Sequence, residues 1–537
     1  MKRLILPLVI LSSLFVLAGA SYLEGGLAQR EGKETIPPAQ LEKPHPKLTS
    51  AIDSIIKTYK KEGLTPALTS AEKQGLATTY DLVQVVIEGK NEFVSAAIKG
   101  KVEDFGGMVE AKWENLVQAR VPIYEIVRLA ELSEVKLVRE PYRPIPMQVV
   151  GEGVGVIGAA EWANVSFHPP AQPVKVAIFD GGFKDYENLL GTELPSSVTV
   201  KSFRYDGDIE ANSVHGTACA EVIYDIAPDA QFYLVNFGSD VEHHQAVDYF
   251  VQQEIDVVSY SMGWANMGAG NGTGPICEDV DEAHQNGILW VSAAGNDAEH
   301  HWEGTFSDPN SNGWHNFIGT DETLSVYLYA GYTAAIFLNW DDWYNSDQDY
   351  DIYLTTTGGF IVAGSTNWQA GTQWPTEAIY YTPSTTGWYN IWINKYSATR
   401  NVKLEIFVWG AGALEHIVKS GSLCVPADSG NAVTVGATFW GDDSLEAFSS
   451  QGPTSDGRVK PDLAAPDGVN SVTYAGAFYG TSASTPHVAG ACALIKSKIG
   501  IFNWDNIYDI LSARAIDYGP TGKDNKYGYG RLSLKKK

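Results

Sequence analysis

The chain has 537 residues, 44% of them hydrophobic and 19% charged, which is too long for a single core and too apolar for a disordered chain. With 38 basic against 64 acidic residues its formal charge is −26, and this argues against nucleic acid or an anionic membrane surface as a partner. Four cysteines are too few for a scaffold held by disulfides. At the N-terminus, Lys2 and Arg3 precede an apolar run from Leu4 to Leu17 that ends in Ala18-Gly19-Ala20. That is the pattern of an export signal cut after residue 20, and it predicts a secreted protein with no stable membrane association after cleavage.

Residues 21–140 read as a propeptide. A Gly-, Pro- and Lys/Glu-rich leader gives way at about 48 to a compact unit. Apolar runs at 82–87, 108–113, 116–121 and 135–138 predict strands, and Asn91 and Pro122 open two helices. The order β-α-β-β-α-β is that of a ferredoxin-like unit. Residues 141–298 begin the main domain, with 141–172 as its linker and entry segment. Apolar strands at 174–182, 233–238, 256–263 and 289–296 alternate with helical stretches at 217–224, 245–254 and 280–286. Such alternation predicts an α/β fold with a parallel sheet covered by helices on both faces. Ligands bind such sheets beyond the carboxyl ends of the strands.

The pattern changes over 299–420, where seven aromatic-rich strands and no helix are predicted: 324–330, 334–340, 350–356, 359–364, 377–382, 388–394 and 402–409. Their spacing predicts a β-sandwich. The α/β style resumes at 431–438, so the sandwich reads as an insertion, with 421–537 as the second part of the main domain.

Residues 480–490, GTSASTPHVAG, precede an apolar helical run. A serine at a helix start is ordinarily a cap. It becomes a nucleophile only beside a base that a third group orients. The chain offers such groups in matching settings: Asp180 ends a buried strand, His215 begins a helix, and Asn296 ends the strand motif AAGN. Each alone has an ordinary structural role, but together they fall on one edge of one sheet. The set IFDGG, VHGTA, SYSMG, VSAAGN, FSSQGPTSDGRVKPDLAAP and GTSASTPHVAG resembles the subtilisin-type serine endopeptidases, in their order Asp, His, Ser.

The resemblance implies a subtilisin-like fold and peptide-bond hydrolysis through an acyl-enzyme, with no cofactor required for the chemistry. Ser482 would be the nucleophile, His215 the general base, Asp180 its orienting carboxylate and Asn296 the oxyanion donor. Polypeptide substrates would lie between two backbone rails, Ser261-Met262-Gly263 and Ala293-Ala294-Gly295. The propeptide would act as an intramolecular inhibitor and be removed by self-cleavage between 140 and 165. Activity would decline on acidification as His215 gains a proton. Gly181 stands where the family usually has Ser or Thr. Two alternatives remain: a catalytically retired scaffold acting as a binding protein, and a sedolisin-like acid peptidase, which would carry Glu for His215 and Asp for Asn296.

Cys424 falls where the family's primary pocket is lined and Cys277 close to the Ser261–Gly263 rail, so a Cys277–Cys424 bridge and two unpaired thiols both stay open. Cys219 and Cys492 read as buried thiols on the helices bearing His215 and Ser482. In the acid cluster Asp341, Asp342, Asp347, Asp349, Asp351, the last four form a candidate set for structural calcium, against a solvated acidic loop. His300-His301 reads as a surface pair.

Overall fold

The computed structural model describes residues 38, 43–74, 76–142, 145–146, 153–163, 173–499 and 504–535. The export signal expected over residues 1–20 lies outside them. The centre of the molecule is a seven-stranded sheet in the order Leu463–Asp467, Ala432–Phe439, Leu289–Ala293, Val257–Tyr260, Lys175–Asp180, Gln231–Asn236, Thr199–Ser202. Every neighbouring pair is parallel. The order of building reverses beside Lys175–Asp180, which creates a crevice at the strand ends.

Alternate residues of that strand explain the two covered faces. Val176 and Ile178 enter one core with Ala218, Ile223 and Val488, from the helices His215–Ile226 and Thr481–Ile499. Ala177 and Phe179 enter a second core with Val247, Phe250 and Val280, from Asp240–Gln252 and Pro275–Gln285. A strand buried on both sides needs apolar residues at every position, which is why 174–182 shows no polar alternation. The segment 153–163, expected to be linker, belongs to the first core through Ile157, Ala159 and Trp162. It is tied to the C-terminal stretch by Leu534 N–H donating to the Ile157 carbonyl at 2.6 Å.

Residues 48–139 form a separate antiparallel sheet in the order Met108–Trp113, Leu116–Pro122, Leu82–Gly89, Val135–Arg139. The helices Ser50–Glu62 and Leu64–Lys73 were not foreseen; Ile52, Ile55 and Ile56 pack with Val83, Val85 and Ile87 on one face of this sheet. The other face meets the helix Asp240–Gln252. There Val86 and Ala111 touch Val241, and Trp113 stacks on His244 at 5.2 Å. Arg139 Nη2 donates to Asp240 at 2.7 Å and Gln118 to Glu242 at 3.2 Å.

Between Leu289–Ala293 and Ala432–Phe439 the chain builds two antiparallel sheets. One contains His301–Thr305, Lys403–Trp409, Ala334–Trp340 and Thr376–Tyr381; the other Ile361–Ser365, Asp349–Thr356, Gly387–Ser397, Leu324–Leu328 and Ala413–Leu414. Ile336, Leu338, Ile352, Leu354, Ile391 and Ile406 fill the space between them. Ala335, Phe337, Phe407 and Trp409 point the other way and pack on Cys424. The first sheet is therefore covered on both faces, and Ala334–Trp340 is buried along its whole length.

His315 is enclosed in this core, where its Nδ1 accepts from the Ser307 N–H at 3.0 Å. Burial pushes its imidazole down to about 4. Between that value and the ordinary value of about 6.5, the unfolded chain binds a proton that the folded chain refuses, so stability rises with pH across the window. We expect urea unfolding followed by Trp fluorescence to show stability lost as pH falls from 6.5 toward 4. His315→Asn, which keeps an acceptor for Ser307, should remove up to about 3 kcal/mol of that loss; identical pH profiles for the two chains would refute the assignment.

Candidate active site

Asp180 ends its strand at the crevice and is fully buried. Its Oδ1 accepts from the Gly181 N–H at 2.7 Å, and its Oδ2 lies 2.7 Å from His215 Nδ1. Both carboxylate oxygens are thus held, one by backbone and one by the ring. Nδ1 donating to a carboxylate fixes the tautomer in which the other ring nitrogen, Nε2, is the basic one. The glycine after His215 has a steric reason: a Cβ at Gly216 would stand 2.6 Å from Phe183, 2.7 Å from the Gly182 carbonyl and 2.8 Å from Asp180 Cβ. The Gly216 N–H donates to that carbonyl at 3.1 Å, which draws the helix start against the strand end bearing Asp180.

Ser482 sits at the start of Thr481–Ile499 and is fully buried. Gly480 adopts φ +121°, a conformation L side chains rarely reach, and its N–H donates to Asp467 Oδ2 at 2.8 Å. Burial, with Glu446 beside it, pushes the Asp467 carboxyl well above its usual range. Pro486 lies four residues after Ser482 and has no N–H to offer, so the Ser482 carbonyl loses its helical partner. Ser261 Oγ donates to it at 3.1 Å and Cys219 Sγ at 3.6 Å. Candidate ligand atoms of Asp180, His215 and Cys219 lie within 4.8 Å of one another, so this thiol links the His215 pair to the serine backbone. Ser482 Oγ itself faces the Ser261 carbonyl at 3.3 Å. His487, in the same motif, is a core residue: its Nδ1 donates to the Ala483 carbonyl at 2.7 Å and burial pushes it down to about 4.

Asn296 is turned by Thr481, whose N–H and hydroxyl donate to its Oδ1 at 3.0 and 2.9 Å. Its Nδ2 is the end left for another acceptor. The Ser482 N–H likewise has no acceptor among the described residues. The next residue, Asp297, binds the sandwich to the site: its Oδ1 accepts from Trp409 Nε1 at 2.8 Å and its Oδ2 from Cys424 Sγ at 2.9 Å.

Of the two expected rails, one pairs with an extended strand. Met262 and Gly263 pair antiparallel with Pro146 and Ile145. Along Ala293-Ala294-Gly295 the backbone is already committed. Ala294 N–H goes to Val435 and its carbonyl to Cys424 N–H, while Gly295 N–H goes to Thr481 Oγ1 and its carbonyl to Ser450 N–H. That stretch is a wall of the cleft, because it is still part of the sheet edge when it reaches the site.

Three other expectations are corrected. Cys277 and Cys424 are free buried thiols, each donating to a different carboxylate, Cys277 to Asp428 at 3.5 Å and Cys424 to Asp297. Asp342, Asp347, Asp349 and Asp351 form no common ligand set. Asp342 caps its own loop and pairs with Arg400 at 3.0 Å, Asp347 bonds Gln348, and Asp349 and Asp351 both hold the Lys43 ammonium. A lysine nitrogen stands where calcium was expected. His301 is buried between the Val418 carbonyl and Glu405, and His300 is half-buried. Elsewhere His243, His244 and Asp279 converge, but both Nδ1 atoms are bonded to that one carboxylate, at 2.6 and 2.8 Å.

A parallel α/β sheet with a carboxylate-held histidine and a buried helix-start serine at one strand edge is the layout of a Ser-His-Asp hydrolase. The Subtilase family profile matches residues 172–330 and 343–530, and the chain belongs to that family. Bacillopeptidase F of Bacillus subtilis is 31% identical over 159 residues, covering 27% of this chain and 11% of that protein. Subtilisin Savinase of Lederbergia lenta is 40% identical over 119 residues, 21% of this chain and 40% of that one. The chain thus spans well under half of the length of these relatives. The fold is similar to that of the CspB protease of Clostridium perfringens, with TM-score 0.51 and 18% identity over 70% of this chain and 95% of that chain.

If the close approach at Gly216 fixes His215, Gly216→Ala should slow fluorophosphonate labelling of Ser482 by about 10²-fold with an unchanged far-UV circular dichroism spectrum. An unchanged labelling rate would refute it.

Proposed function

We propose that the chain is a secreted subtilisin-like serine endopeptidase, made as a self-processed zymogen. The observation that carries the catalytic half is the buried Asp180 carboxylate on His215 Nδ1 at 2.7 Å, beside a helix-start serine. Ser482 Oγ attacks the peptide carbonyl while His215 Nε2 takes its proton. Asp180 stabilises the imidazolium so formed. The tetrahedral oxygen accepts from Asn296 Nδ2 and the Ser482 N–H. His215 then gives its proton to the leaving amine, and water, deprotonated by the same nitrogen, releases the acyl group.

The zymogen half rests on the ladder between Ile145–Pro146 and Met262–Gly263, the geometry in which an extended peptide adds a strand to a cleft edge. It supports the propeptide as an occupant of the substrate groove and as an intramolecular inhibitor. Since 153–163 packs into the core of the main domain, the cut belongs between Pro146 and Gly153, a narrower window than 140–165. Export is supported by the signal pattern at residues 2–20; among the described residues no helix is long and apolar enough to cross a membrane.

The mature protein should carry a new N-terminus within residues 147–153, read by mass spectrometry, and Ser482→Ala should keep residues 43–146 attached. Normal maturation of pure Ser482→Ala protein would rule out self-processing. Failure of the unsubstituted mature chain to react with a fluorophosphonate would instead indicate a binding protein on this scaffold. Asn296→Ala should lower kcat by about 10²–10³-fold on a peptide substrate, with KM nearly unchanged; an undiminished kcat would remove this residue from the mechanism.

A further inference from the structure

The sandwich encloses a cluster of charge that catalysis does not use. Lys43, from the segment ahead of the N-terminal unit, places its Nζ 2.8 Å from Asp349 Oδ1, 2.7 Å from Asp351 Oδ1 and 2.9 Å from the Asn367 carbonyl. An ammonium has three N–H donors and no acceptor, and here each donor has one oxygen. The rings of Tyr396 and Trp368 lie 4.3 and 5.4 Å from the nitrogen, within the range of cation–π attraction. Behind them stands Glu377, 1% exposed, held by Ser365, the Asn367 N–H and Gln369.

Every wall of this pocket belongs to the sandwich. Asp349 and Asp351 lie on Asp349–Thr356, Glu377 on Thr376–Tyr381 and Tyr396 on Gly387–Ser397, with Asn367 and Trp368 in a connecting loop. Only the ammonium comes from elsewhere, 306 positions before Asp349. Three buried carboxylates around one cation exceed what a simple ion pair needs, and buried acids without a partner are strongly unfavourable. Consistent with this, burial pushes Asp351 up to about 7 even with Lys43 beside it. The flanking rings favour an organic ammonium over a hydrated metal ion. The same loop also reads the backbone near the lysine: Trp368 Nε1 donates to the Pro44 carbonyl at 3.1 Å, and Ser50 N–H to Asn367 Oδ1 at 2.6 Å. The pocket is therefore built for a lysine carried on a peptide.

We propose that the sandwich holds a receptor site for a lysine ε-ammonium, formed by Asp349, Asp351, Asn367, Trp368 and Tyr396, which Lys43 fills in cis and a lysine of another polypeptide fills once the segment bearing Lys43 has left. The vacating step rests on the zymogen reading; the site itself does not, and it is tested without catalysis.

The test uses the full chain carrying Ser482→Ala, with and without Lys43→Ala, titrated by calorimetry with Nα-acetyl-lysine N-methylamide. The Lys43→Ala chain should bind it saturably. The chain retaining Lys43 and the Lys43→Ala/Asp351→Asn chain should each bind at least about tenfold more weakly, and the norleucine analogue should not bind. Absence of saturable binding to Lys43→Ala, or equal binding to all three chains, overturns the proposal. Should Lys43→Ala not fold, Lys43→Met keeps the aliphatic stem. Its thermal midpoint should be higher in methylammonium chloride than in sodium chloride at equal ionic strength, with no such difference for the chain retaining Lys43. Equal midpoints for the Met variant in both salts overturn the proposal.

Discussion

The burial of the helix Thr481–Ile499 constrains the rest of the molecule. From Thr481 to Ile495 every side chain is buried, so the helix must be narrow, and its sequence is largely Ala, Gly, Ser and Thr. Where it crosses His215–Ile226 the spacing leaves room for glycine only at the cost of a tight fit for anything larger: a Cβ on Gly490 would stand 3.0 Å from Ile226. The hydroxyls of Ser484 and Thr485 are bonded inside, Ser484 to the Ala465 carbonyl and Thr485 to the Thr481 carbonyl. A helix enclosed in this way cannot slide, because interiors are close-packed. Two helix starts, one bearing His215 and one bearing Ser482, are thereby locked against a single strand edge.

Polar pins join the parts of the chain where apolar packing alone would leave them free to slip. Arg139 joins the N-terminal sheet to the helix Asp240–Gln252 through Asp240, with Glu88 on its other side at 2.7 Å. Lys43 joins the preceding segment to the sandwich. Trp409 joins the sandwich to Asp297, the neighbour of Asn296. Breaking a buried pair leaves an uncompensated charge, so such contacts fix register more firmly than they add stability. The sandwich is consequently tied both to the strand edge bearing Asn296 and Asp297 and to the segment that precedes the N-terminal sheet.

Periodicity revealed the strands well. All seven predicted runs of the sandwich correspond to strands, from Leu324–Leu328 to Lys403–Trp409, since β-branched and aromatic runs between turn residues have few other uses. The helices Ser50–Glu62 and Leu64–Lys73 were missed because short amphipathic segments gain most of their stability from the sheet they cover. The segment 153–163 was read as linker for its glycines; Ile157 and Trp162 are core residues only because the C-terminal stretch returns to meet them. The support of the Ser482 carbonyl by Ser261 was legible in principle, since a proline four residues on orphans a carbonyl, but the donor could not be named from spacing.

By itself the sequence determined the strands of the main sheet and of the sandwich, and it placed Asp180, His215, Asn296 and Ser482 at strand ends and helix starts, because these are local properties. Tertiary structure alone decided who partners whom. It kept Cys277 and Cys424 as thiols on separate carboxylates, gave Asp349 and Asp351 a lysine in place of an ion, and closed the backbone of Ala294 and Gly295 to substrate. Each of these depends on which distant atom fills the next few ångströms, and charge compensation inside a protein is settled by that neighbour, whatever its distance along the chain.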